Sequence, residues 1–347
     1  MAFRDAVKPI KVNQCDMMKI QQSIMEENER RVQFKNNIEH IEFLEKLNDA
    51  VSGLNERLKN SENMESSKHV CLMVFGLYRS GTSLTYQLLA NCLNVIFPNN
   101  ISARFWKNPN VGFKLASIIT SEKYVTEYTP CFGKFPNAEG VHEYSYFWSD
   151  ILHMGDHENQ FTERPFSPDQ SKKLRETLFS LMNAHDKPLL FKNILGVPHM
   201  DQIDATLDKT LWIYVQRDFT DTAISQYNSR IEYYGTPDSW WGLYPPNFEE
   251  IRHLSPEEQI AHSMKRISEI YGKKIEGKDN VIVLRYKDVC NNPTMTIEQV
   301  RMALKRLYDY SIDVRNGIPE RFTAKEYALD TDINQRIAKA VKAICHK

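Results

Sequence analysis

The stretch Val74–Leu89, VFGLYRSGTSLTYQLL, constrains the fold of this chain more than any other. An apolar run of strand composition, HVCLMVF (His69–Phe75), stops at Gly76. A turn bearing Ser80, Gly81, Thr82 and Ser83 follows, and a helical pattern then starts near Leu84. A strand that turns on glycine into a helix aims backbone N–H groups at one point, where the helix dipole also attracts negative charge. Glycine lets the backbone bend tightly and approach an anion with no side chain in the way. A phosphate-type ligand is therefore expected here. Gly76 and Gly81 have the separation of the NTPase loop GxxxxGK[ST], but Thr82 stands where that loop needs lysine, and Arg79 is the cation inside the turn.

Around this element the chain alternates. Leu189–Lys192 (LLFK), Thr210–Val215 (TLWIYV) and Val281–Leu284 (VIVL) read as further buried strands, and Leu84–Leu93, Ser171–His185 and Glu257–Ile275 as helices between them. The expected fold is α/β: a P-loop-like parallel sheet flanked by helices on both faces. Before it, Phe34, Ile38, Ile41, Leu44, Leu47, Val51, Leu54 and Leu58 recur at helical spacing, and polar residues 60–68 form a linker. The expected division is a helical N-terminal extension, 1–67, and a main domain, 68–347. The stripe fits one helix, or two broken near Gly53, packed on the main domain; a dimerisation arm is the alternative, against which stands the lack of clean aliphatic heptads.

Lys+Arg 44 against Asp+Glu 45 leaves a net charge of -1, so no nucleic-acid partner is expected and an anion site must be built locally. The run Val70–Tyr78 is too short to cross a membrane, and the N-terminus MAFRDAVKPIKV lacks an apolar signal region. Six scattered cysteines with no CxxC pair read as reduced thiols, so a cytoplasmic protein is expected.

Strand LWIYV leads into QRDFTDTAISQY, with Arg217 leaving the carboxyl end of a strand and Ser225 two helical turns later. That end is where α/β sheets bind ligands, and a guanidinium grips phosphate with two donors. An Arg217–Asp221 ion pair is the plainer alternative. Gly76–Ser83 resembles the 5′-phosphosulfate loop of sulfotransferases that use 3′-phosphoadenosine 5′-phosphosulfate (PAPS), with Arg79 in place of the usual lysine, and Arg217 with Ser225 is similar to their 3′-phosphate pair. The segments around Trp240–Trp241 and Pro245–Pro246, and VLRYKDVCNNP (Val283–Pro293), resemble bacterial members; the likeness spans about residues 69 to 310.

The resemblance implies a sulfuryl transfer from PAPS to a hydroxyl, leaving adenosine 3′,5′-bisphosphate, with no metal required. It assigns Arg79, Ser80, Gly81, Thr82, Ser83, Arg217, Ser225 and Tyr286 to the nucleotide and Lys192 to the bridging oxygen. In GVHEYSYFW it makes Glu143 the base, with His142 as neighbour or substitute. Trp240, Trp241 and Tyr244 either wall the acceptor pocket or pack under a loop. Departures are plain. Ile194 occupies the position of the cytosolic enzymes' catalytic histidine, Leu84 that of their adenine-stacking tryptophan, and the tail with Arg315 and Arg321 lacks their Arg-Lys-Gly segment. The acceptor is left open among glycan, lipid and small molecule, and a homo-oligomer through the N-terminal helix is a possible assembly. The competing readings are a Walker-like nucleotide kinase and a non-catalytic nucleotide-binding member acting through that helix.

Overall fold

The computed structural model describes residues 30–35, 37–120, 128, 137–154, 160–315 and 317–345. Residues 1–29 of the expected N-terminal extension, together with Cys15 and Cys131, lie outside the described residues. Four strands, β1 (Cys71–Phe75), β2 (Leu189–Lys192), β3 (Thr210–Gln216) and β4 (Val281–Arg285), form one sheet in the order β2-β1-β3-β4. Every pairing is parallel. The chain leaves β1 for one neighbour and later returns to its other side. The strand order therefore reverses between β1 and β3, the crevice where open α/β sheets bind ligands.

Alternation along β1 divides the core. Cys71, Met73 and Phe75 face one layer and Val70, Leu72 and Val74 the other, all fully buried. α2 (Thr82–Cys92), α10 (Tyr286–Asn291) and α11 (Pro293–Tyr308) cover the second layer. The first receives α5 (Pro168–His185), α6 (Met200–Leu207), α7 (Phe219–Tyr234), α9 (Pro256–Ile275) and the C-terminal α12 (Asp332–Cys345). The expected parallel sheet with helices on both faces is thus present. Short helices α4 (Ser145–Ile151) and α8 (Phe248–Ile251) shape the ligand end.

α1 (Ile38–Asn60) runs unbroken through Gly53 and lies against α3 (Pro109–Ile119) and α5. Its contact is polar at two points. Asn48 and Asn55, two turns apart, are buried. The Asn48 side-chain amide donates to the Arg104 carbonyl at 2.8 Å, and Asn55 Oδ1 accepts the Asn110 and Val111 N–H groups at 3.0 and 3.4 Å. α3 has no side-chain cap of its own residue Asn108. Asn55 supplies that cap from another helix. Among the described residues no helix is long and apolar enough to cross a membrane.

Candidate active site

The candidate phosphate loop, Gly76–Ser83, sits where β1 ends at the reversal point. A Cβ on Gly76 would lie 2.4 Å from the Val215 carbonyl of β3, so only glycine lets the turn start against the neighbouring strand. Arg79 (φ 67°) and Gly81 (φ 99°) adopt left-handed backbone. A non-glycine residue held there marks local strain that the surroundings must maintain. A Cβ on Gly81 would lie 2.3 Å from the Tyr286 ring, which packs over the turn. α2 then begins with no side-chain cap at Gly81, leaving its first N–H groups available to a ligand.

Beside this loop two guanidinium groups converge. Arg79 Nε donates to Ser225 Oγ at 3.1 Å, and Arg217 donates to the Arg79 carbonyl at 3.0 Å and to the Lys325 carbonyl. The Arg217 guanidinium lies 4.8 Å from the Tyr286 ring centre and 5.8 Å from that of Tyr327. Burial lowers the Arg79 pKa, with Arg217 adding in the same direction. Asp221 does not neutralise Arg217; it accepts the Tyr327 backbone N–H at 2.9 Å. Among the described residues, Ser80 Oγ and Arg217 Nε are buried with no hydrogen-bond partner. Two cations, two orphaned donors and an uncapped helix fit an anionic nucleotide.

The second half of the site lies at the end of β2. Lys192 is buried, its side chain 8% exposed, and its ammonium donates to Ser83 Oγ at 3.0 Å and pairs with Glu143 Oε1 at 2.5 Å. It therefore joins the phosphate loop to a carboxylate from a separate segment. That segment is pinned: the His142 N–H donates to the Pro98 carbonyl at 2.8 Å, and the Tyr144 N–H to His142 Nδ1 at 2.9 Å. Tyr144 itself is left-handed (φ 57°), which starts α4 immediately after Glu143. Glu143 and Lys192 line a cleft of about 300 Å³; His142 does not.

The sequence-assigned residues thus gather into two adjoining clusters: Arg79, Ser80, Gly81, Arg217, Ser225 and Tyr286 in one, Ser83, Lys192 and Glu143 in the other, with Thr82 buried at the head of α2. Ile194 does line the cleft, but brings no proton-transferring group to the position of the family histidine. Trp240, Trp241 and Tyr244 stay behind the cleft wall. Trp240 stacks on Tyr244 under the Arg230 guanidinium, and Trp241 packs edge-on to Tyr78. Leu243 alone of that stretch reaches the cleft, held by its N–H donating to the Tyr78 hydroxyl at 3.2 Å.

Sequence reasoning missed the tail segment. Lys325 and Tyr327 cross over Arg217, the Lys325 N–H donating to the Tyr286 hydroxyl at 3.2 Å. Burial pushes the Tyr327 phenol up, but hydrogen bonding with Ser225, Lys325 and Asn228 outweighs it and lowers the pKa. Nothing in the local pattern of TAKEYALD marks these residues; only the path of the chain brings them here. Arg315, by contrast, is structural and donates to the Ala90 carbonyl at 2.7 Å.

Comparison with known proteins gives the same direction. No curated protein matches the chain at a significant level. Among solved structures it is similar to a sulfotransferase of Mycobacterium avium, at 12% identity and TM-score 0.47, covering 81% of this chain and 69% of that one. A sulfotransferase of Mycobacterium tuberculosis is similar at 12% identity and TM-score 0.46, covering 88% and 78%. The sulfotransferase domain of the curacin biosynthetic pathway follows at 12% and 0.38, covering 80% and 99%. The sulfotransferase family itself is matched over residues 72–309, a span that holds the phosphate loop, Glu143, Lys192, Arg217 and Tyr286, and the chain belongs to that family.

Proposed function

We propose that this protein transfers a sulfuryl group from PAPS to the hydroxyl of a neutral-to-modestly polar acceptor such as a glycan, lipid or small molecule. The observation that carries the reading is Lys192, seated between Ser83 of the phosphate loop and Glu143 of the cleft. When bound, PAPS supplies the sulfuryl group and leaves as adenosine 3′,5′-bisphosphate. The loop N–H groups and Arg79 hold its 5′ end, and Arg217 with Ser225 its 3′-phosphate. Glu143 takes the acceptor proton as the new S–O bond forms. Lys192 offsets the charge that develops on the bridging oxygen as the old S–O bond breaks. A general base and a placed cation are what this displacement needs.

Thr82, standing where a P-loop lysine would bind β- and γ-phosphates, weighs against the kinase reading. Calorimetric titration with adenosine 3′,5′-bisphosphate, beside ADP with and without Mg²⁺, tests the reading. Metal-free binding of the bisphosphate at least ~10-fold tighter than ADP, about 1.4 kcal/mol, is the expected result. Preference for ADP with Mg²⁺ turns the assignment to a kinase, and binding of neither turns it to a non-catalytic protein.

A further inference from the structure

The cleft beside Glu143 has a composition that speaks to the acceptor. Among the described residues its formal charges are Glu143 and Lys192, and these two are paired with each other. Tyr78, which also lines it, stays neutral because burial, with Glu143 adding to it, pushes its phenol up. Among the described residues a polyanionic acceptor would meet no uncommitted cation there and one carboxylate. Most of the remaining wall is apolar: Trp148, Met154, Leu195 and Leu243. Against that wall stand two serines. Ser145 and Ser149 are one helical turn apart on α4, so both fall on the face that carries Trp148, two and six residues beyond the candidate base. Neither hydroxyl has a hydrogen-bond partner among the described residues. At about 300 Å³ the cleft suits one compact headgroup.

We infer that the acceptor is a neutral amphipathic alcohol: a hydroxylated headgroup read by Ser145 and Ser149 next to Glu143, carried on an apolar body that lies on Met154, Leu195 and Leu243. The inference rests on the sulfuryl-transfer reading of the same site and names its acceptor class. Sulfation would then place a charge on the headgroup and leave the apolar body unchanged.

The test is a set of calorimetric titrations on the full chain, with and without saturating adenosine 3′,5′-bisphosphate. The probes are octyl β-D-glucoside below its micellar concentration, methyl β-D-glucoside, 1-octanol and a heparin-derived tetrasaccharide. Octyl glucoside should bind at least about tenfold tighter than methyl glucoside, a ratio that burial of two methylenes already supplies. The double variant Ser145→Ala/Ser149→Ala should weaken octyl glucoside by roughly tenfold, the loss of two hydrogen bonds, and leave 1-octanol unchanged. Leu195→Ser should shrink the octyl-over-methyl preference. Bisphosphate affinity unchanged in both variants shows that the fold is kept. Equal binding of the two glucosides, tighter binding of the tetrasaccharide, 1-octanol matching octyl glucoside, or binding of no probe each overturns the inference. Octyl glucoside binding with no bisphosphate binding instead removes the donor reading and keeps the cleft assignment.

Discussion

Lys192 is 8% exposed and Glu143 45%, so their contact joins a buried cation to a carboxylate that still meets water. Its neighbour His142 is differently committed, because Nδ1 accepts the Tyr144 N–H that starts α4. Glu143→Gln keeps the shape and a hydrogen bond to Lys192 while removing the proposed base. Turnover should fall by ~10²–10⁴-fold with bisphosphate affinity nearly unchanged; an unaltered rate would move the role to His142. Arg217→Ala should cost the 3′-phosphorylated nucleotide ~1.5–3 kcal/mol, the range for hydrogen bonds to a charged group. Adenosine 5′-phosphosulfate, which lacks that phosphate, should bind as before, and equal losses on both would remove the assignment. At Gly81 the backbone (φ 99°) and the Tyr286 ring exclude a side chain together. Gly81→Ala should therefore lower the melting temperature, by the equivalent of at least ~1 kcal/mol from the left-handed backbone alone, and weaken the bisphosphate as the ring is displaced.

At the scale of elements, the strands and the helices that follow them were legible because each strand is a short apolar run and each helix repeats every three to four residues; only the burial expected of β4 fails, since this edge strand leaves Val283 49% exposed. The edge of the pattern was legible too: Gly76 marks where β1 stops and Gly81 where α2 begins. The N-terminal helix shows what periodicity hides. Its apolar stripe leaves Phe43 64% exposed and Leu54 43% exposed, while Asn48 is fully buried. A pattern search weighs Leu above Asn, yet Asn55 satisfies N–H groups that α3 cannot satisfy itself, and Asn48 ties α1 to the Arg104 carbonyl just before α3. The same blindness hid Lys325 and Tyr327, whose partners Arg217, Asp221 and Tyr286 lie far away in sequence. Asn55→Ala should destabilise the protein by about 1 kcal/mol, as loss of a helix cap does. Gly53, exposed in the middle of α1 with nothing within 4 Å of an added Cβ, should behave in the opposite way. Gly53→Ala should raise stability by ~0.5–1 kcal/mol. Urea denaturation of the two variants checks both signs, and a destabilised Gly53→Ala would mean that this face of α1 is covered.

For the whole molecule, titration of the buried groups sets a window of stability with two physically different edges. Burial lowers the pKa of His69, His185 and His199 below the ordinary 6.5. The unfolded chain then binds protons more readily than the folded one as pH falls through 6.5, so stability is complete above that value and declines below it. Asp201 is held below the ordinary 3.8 by hydrogen bonds from Lys278 and Lys274, and Asp186 by those from Lys68 and His69. Their contributions are present above 3.8 and are lost as pH falls further, so the acid edge steepens rather than reverses. On the other side burial raises Cys71, Cys92 and Cys290 above 9.0, and Tyr144 and Tyr271 above 10.0. These acids ionise first in the unfolded chain, and stability is lost as pH rises through 9.0 and 10.0. The urea midpoint should therefore be level between about pH 7 and 8.5, lower at pH 5.5 and lower again at pH 10. A midpoint that rises on acidification to pH 5.5 would require buried histidines that gain, rather than lose, affinity for protons on folding. That would contradict their burial against the sheet's N-terminal end and in the α5 and α6 packing.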